Sequence, residues 1–302
     1  MRKLLPFLLC LGLMTSCCSS PAPAEEGALH ILATTYPVYL FVTAVTEGAE
    51  GVEVDRLITE EVSCLHDYTL TVTDMKAIEK ADIIIINGAE LEEFMEDALA
   101  RSDAAVIDCS EGIALLENEG HEEHEHEHID HDHGHYDPHI WMDPANAATM
   151  VDNIASELSV LDGTHHELYT EHAAAAKALL SDVSLEFQAP ALPYLVTFHD
   201  GFQYFADAFG LKLLKAIEEE EGSEASAAEI REISALVEEY GLPAIFTEKN
   251  GSSATANAIA RETGCKVYPL DMLMCGKGSG IQPYLDTMYA NLDTISLALG
   301  GE

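Results

Sequence analysis

Fourteen histidines are spread unevenly over the 302 residues, and seven of them fall in the run HEEHEHEHIDHDHGH from His121 to His135, beside six acidic residues. Neutral imidazole is the commonest metal ligand and suits Zn, Cu, Ni and Fe. His121, His124, His126, His128, His131, His133 and His135 are therefore expected to capture divalent metal weakly and at several stoichiometries. The competing reading is a solvated low-complexity spacer. His124-Glu125-His126-Glu127-His128 formally fits H-E-x-x-H, but that metalloprotease motif needs a helix with an apolar face, and the neighbours here are charged or His. The match reads as chance.

The isolated histidines say more. His66 lies in SCLHDY just past an apolar β-type run, and His199 lies in TFHDGF just past another. Asp271 directly follows VYPL, and His139 sits in the turn-rich DPHIWMDP ahead of a helical stretch. In open α/β sheets ligands bind in the crevice beyond the carboxyl ends of strands, where such residues converge. Taken one at a time, each histidine is more readily read as a structural or surface histidine than as a ligand. His30, His165, His166 and His172 stay in that class, the last three on the solvent side of a helix.

The elements that must position these residues follow from periodicity. Leu29 to Thr34, Val52 to Ile58, Asp82 to Asn87 and Ala105 to Asp108 are short apolar runs separated by helical patterns, as in buried parallel strands joined by crossover helices. A second series follows at Tyr194 to Phe198, Leu211 to Ala216, Ala244 to Thr247 and Lys266 to Leu270. Between them, Ala145 to Leu161 and His165 to about Gln188 are rich in Ala, Leu and Glu, and the second stretch lacks Gly and Pro. About 24 residues at 1.5 Å each give a helix of roughly 36 Å. The expected fold is α/β: two lobes, each a mainly parallel sheet flanked by helices, joined by one long rigid helix. The expected boundaries are 28–163 for the N-terminal lobe, 164–189 for the connecting helix and 190–302 for the C-terminal lobe.

Charge and composition narrow the function. Fourteen Lys plus Arg against 54 Asp plus Glu leave a net charge of −40, so a nucleic-acid backbone would be repelled and a cation attracted. An apolar content of 48% excludes global disorder. Residues 1–16 read as a secretory signal: Arg2-Lys3, an apolar stretch to Met14, then Thr15-Ser16. Met14-Thr15-Ser16-Cys17 resembles a lipobox, with Cys17 lipidated and 17–27 a tether; cleavage after Ala24 of Ala22-Pro23-Ala24 is the periplasmic alternative. Membrane contact is expected only through that anchor. In an oxidising compartment Cys64, Cys109, Cys265 and Cys275 allow three pairings, and Cys64–Cys109 with Cys265–Cys275 keeps each bridge local.

Taken in order, LHDY, the His-rich loop, DPHIWMDP, FHDGFQYF and PLD make the chain from about Ala28 to Glu302 resemble the zinc-binding solute-binding proteins of bacterial ABC importers. That resemblance implies metal ligands at His66, His139, His199 and Asp271, three imidazoles and a carboxylate suited to a tetrahedral Zn²⁺ site. It implies a non-enzymatic monomer that takes up Zn²⁺ and hands it to an ABC permease with its ATPase. Manganese-binding relatives carry Glu where this chain has His199, which favours zinc over Mn or Fe. A zinc buffer or adhesin would use the same fold. By adjacency, Asp67, Asp143 and Asp200 are candidates to orient the imidazoles. The chain departs from the family pattern at Leu65, where Glu or Pro is frequent, and at Glu224-Ala225-Ser226, where Glu-Pro-Ser is expected. The resemblance assigns no role to Cys275.

Overall fold

A computed structural model describes residues 27–60, 65, 68–118, 135–183, 185, 187–217 and 226–300. Cys17, Cys64, His66, Asp67 and the loop histidines up to His133 lie outside the described residues.

The first half runs β1 (Leu29–Ala33), α1 (Tyr36–Val45), β2 (Val52–Arg56), α2 (Val72–Lys80), β3 (Ile83–Ile86), the single turn α3 (Glu96–Leu99), β4 (Ala105–Asp108) and α4 (Pro144–Leu161). Then come α5 (His166–Val183), β5 (Tyr194–Phe198), α6 (Gln203–Ala208), β6 (Lys212–Ala216), α7 (Ala227–Tyr240), β7 (Ala244–Glu248), α8 (Ala254–Thr263), β8 (Lys266–Leu270) and α9 (Gln282–Leu299). The strands form two all-parallel sheets, ordered β2-β1-β3-β4 and β6-β5-β7-β8. Parallel strands need crossover connections, and helices covering both faces explain why β3 reads IIII and why every residue of β7 is buried. In each sheet the order reverses beside the first strand, between β1 and β3 and between β5 and β7, which opens a crevice at their carboxyl ends.

The connecting helix is α5, 18 residues and so about 27 Å long, shorter than the sequence suggests. Its last turn closes with Leu185 N–H donating to the Asp182 carbonyl. Helix α5 lies along α4 and also touches α1 and α9, so it binds both halves together. Of the histidines expected on its solvent side only His166 is exposed. His165 is half-buried, with Nδ1 2.6 Å from Asp162, and His172 Nδ1 lies 3.2 Å from the Val45 carbonyl.

One hydrophobic core runs through both halves, from Ile31 and Phe41 through Trp141 and Tyr169 to Phe246 and Tyr284, and a smaller one lies around Val196, Ile245 and Ile259. The Cys265–Cys275 bridge is not formed. Cys265 precedes β8 and Cys275 follows it; five strand residues at about 3.3 Å each hold the ends roughly 16 Å apart, far beyond disulfide reach. The Cys265 sulfur accepts from Thr263 Oγ1 and the Cys275 sulfur from Asn250 Nδ2. Cys109 is a buried thiol whose pKa burial pushes well above the ordinary value.

Candidate metal centre

His139 is fixed from two directions. Asn87, directly after β3 and fully buried, donates Nδ2 to the Pro138 carbonyl at 2.9 Å, tying the DPHIWMDP segment to the reversal point of the first sheet. Asp137, 1% exposed, accepts through Oδ1 from both the His139 backbone N–H (2.9 Å) and ring Nδ1 (2.8 Å). A carboxylate on Nδ1 makes that nitrogen the donor and directs the lone pair to Nε2, the arrangement a metal-binding imidazole needs. Burial alone would lower the His139 pKa, but the hydrogen bond and charge of Asp137 outweigh it, so the value is raised.

His199 follows β5 at the reversal point of the second sheet, and its backbone carbonyl accepts from buried Thr197 Oγ1. Its ring centroid lies 5.6 Å from that of His139, at 89°. Residues 60 positions apart in the chain thus meet where the two halves face each other. Gly201 permits this approach: a Cβ there would stand 2.6 Å from Met272 Sδ and 3.1 Å from the His139 ring. Trp141 Nε1 donates to the Met272 carbonyl (2.9 Å) and Tyr284 Oη to the Trp141 carbonyl (2.8 Å), closing the same seam.

Asp271 follows β8, its backbone held by Asn291 through two hydrogen bonds of 2.9 and 2.8 Å. Its Oδ1 accepts from Leu273 N–H (2.8 Å) and its Oδ2 from Lys249 Nζ (2.9 Å). With that carboxylate paired to Lys249 and His66 outside the described residues, no group of three or more His, Cys, Asp or Glu among the described residues has metal-holding geometry. The structure does bring His139 and His199 together. It also sets Asp271 close enough to act on the charge of Glu248, the last residue of β7, which feels His139 as well.

The second tier of the site differs from the adjacency reading. Asp137, two residues before its histidine, orients His139; Asp143 instead caps α4 by accepting from Ala145 N–H at 2.7 Å. Asp200 acts on His139 through its charge. Glu248 and Lys249 lie in the run FTEKNG, which carries no motif, so only the strand pairing reveals their place.

Comparison with known proteins accords with this geometry. Residues 31–298 match the ZnuA family, described as zinc-uptake complex component A periplasmic. The chain belongs to the ZnuA family. The high-affinity zinc uptake system protein ZnuA of Bacillus subtilis is 31% identical over 97% of this chain and 94% of its own length. The zinc-binding protein AdcA of Streptococcus pyogenes is 29% identical over 90% of this chain, which spans only 56% of AdcA. Among solved structures, a ZnuA matches with a TM-score of 0.75 at 26% identity, over 90% of this chain and all of the other. The laminin-binding protein Lmb of Streptococcus agalactiae, described as bifunctional with adhesin and metal-transporting activity, matches at 0.74 and 28% identity over 90% of this chain and 99% of its own.

Proposed function

We propose that this chain is the extracytoplasmic zinc-capture protein of an ABC importer. Zn²⁺ binds in the cleft between the lobes through His66, His139, His199 and Asp271 and is then released to a permease driven by its ATPase. The chain breaks no bond and is not an enzyme. It acts as a monomer, held at the outer face of the cytoplasmic membrane by a lipid on Cys17, while the −40 net charge and the His-rich loop raise the local concentration of cations.

The observation that carries this reading is the meeting of His139 and His199, one from each half, with His139 already oriented by a buried aspartate. Two imidazoles brought together beyond the carboxyl ends of two parallel sheets suit a borderline-soft dication better than Mg²⁺ or Ca²⁺, which take oxygen ligands. Family membership supports zinc as the cargo.

The test is a competitive Zn²⁺ titration, with bound metal counted, on protein lacking residues 121–135. One tight equivalent that disappears in His199→Ala is the expected result. Loss of all tight binding with the loop would reject the cleft site and leave a metal buffer.

A further inference from the structure

Two glutamates are buried at the carboxyl ends of the sheets, and the fold treats them oppositely. Glu92, 5% exposed, accepts from Thr34 Oγ1 (2.6 Å), Asn87 N–H (2.7 Å) and Gly88 N–H (3.1 Å). Glu248, 3% exposed, has no hydrogen-bond partner on either carboxylate oxygen among the described residues. Buried polar groups are paired in the great majority of cases, and an unpaired buried carboxylate is among the costliest exceptions. Loose packing at an edge does not account for it, because all five residues of β7 are buried and Glu248 is in register with Leu270 of β8.

The surroundings show what the carboxylate faces. Glu248 ends β7 and His199 follows β5, the two strands that flank the reversal point of the second sheet. Its charge interacts with His139 and with Asp271. The adjacent cation, Lys249, is turned outward onto Asp271. Asp271 therefore already has a positive partner, whereas among the described residues Glu248 has neither a donor nor a bonded counter-charge.

We propose that Glu248 is a further cation-facing residue of the cleft, a buried carboxyl group left without a hydrogen-bond donor among the described residues, whose negative charge is realised against the captured dication and sets how firmly that ion is held. This rests on the zinc-capture reading. Three imidazoles bring no negative charge to a buried Zn²⁺, and Asp271 shares its own with Lys249. A second carboxylate at the reversal point supplies the charge balance that a dication needs on leaving water. It also biases the site against monovalent ions, for which one carboxylate suffices.

The experiment measures Zn²⁺ affinity by chelator competition, and metal-free thermal stability, in the full mature chain and in Glu248→Gln, with Glu248→Met as a second neutral variant. The expected result is a 10- to 100-fold weaker affinity with the single tight equivalent retained, the scale found when partners around a metal site are removed, together with a metal-free melting temperature equal to or above that of the parent. A merely structural glutamate would lower both quantities, and that outcome overturns the proposal. So does an affinity within about threefold of the parent in both variants. If the parent itself shows no tight equivalent, or His199→Ala keeps it, the zinc-capture reading fails instead, and that result is distinct from either outcome at Glu248.

Discussion

Lys249 and Asp271 form an ion pair across the carboxyl ends of β7 and β8, with Nζ 2.9 Å from Oδ2. The pair follows from strand register. Ala244 lies opposite Lys266 and Glu248 opposite Leu270, so the next residues on the two strands are Lys249 and Asp271. The hydrogen bond and charge of Asp271 raise the lysine pKa, so Lys249 is charged over the whole physiological range. A metal that takes Asp271 as a ligand shares the carboxylate with this ammonium group and is opposed by its charge.

Removing the competitor should therefore tighten binding. Lys249 is 62% exposed on its side chain, and such pairs contribute about 0–1 kcal/mol. Lys249→Met is expected to raise Zn²⁺ affinity by up to about fivefold, read by chelator competition at low salt. A weaker affinity in that variant would mean that Lys249 assists the site.

Acid should release the metal. Zinc needs neutral imidazole, and Asp137 raises the proton affinity of His139 above the ordinary value. Proton competition at His139 therefore begins above the usual histidine pKa of about 6.5, and affinity should fall steadily from pH 8 to pH 5.5. Asp137→Asn removes the carboxylate that fixes Nδ1 as donor. It should cost about 10- to 100-fold in affinity and move the pH dependence to lower pH. Isothermal titration at four pH values distinguishes the two effects.

Much of this was legible in the sequence. The expected strands at 105–108, 194–198 and 266–270 coincide with β4, β5 and β8, because parallel strands covered on both faces read as short apolar runs bounded by turns. His199 is legible from its position just past a strand end, and His139 from its turn-rich segment just ahead of a helix. Asp137 was visible within DPH, yet adjacency favoured Asp143, since the preference of a carboxylate for a helix N-cap is not apparent until α4 has a defined start. Glu248 and Lys249 were missed because their significance lies in the register between β7 and β8 and in the absence, among the described residues, of a donor to one buried carboxylate. Neither property is local in sequence. The Cys265–Cys275 pairing failed for the complementary reason: ten residues are close along the chain, but not when a strand intervenes.

The metal-free protein should lose stability as pH rises. Burial lifts the Glu248 pKa from its ordinary 4.5 to about 8 and that of Glu92 to about 7. Below pH 4.5 both groups are protonated in the folded and unfolded chains and contribute no pH dependence. Between pH 4.5 and 8 the unfolded chain releases the proton that folded Glu248 retains, so the folded state binds more protons and its stability falls with increasing pH. Glu92 adds to the slope only up to about pH 7. Differential scanning calorimetry in chelator should show the melting temperature falling between pH 5 and 8, and Glu248→Gln should flatten the upper part of that curve. An unchanged slope in the variant would place the effect elsewhere.

Backbone approach at Gly201 is the last determinant of the site. A Cβ at this position would lie 2.6 Å from Met272 Sδ and 3.1 Å from His139 Cγ and Cδ2, so alanine must displace a flexible thioether, the imidazole, or both. Met272 is fully buried, and its carbonyl is held by Trp141, which limits how far its chain can retreat. Overpacking of this kind costs about 1–3 kcal/mol, and here the strain falls on the ligand pair. Gly201→Ala is therefore expected to lower the metal-free melting temperature by a few degrees and to weaken Zn²⁺ binding. Combining it with Met272→Ala, which clears the nearer clash, should restore the affinity in large part. If the double variant binds no better than Gly201→Ala, the contact with His139 is the one that matters, and the imidazole has been turned out of position.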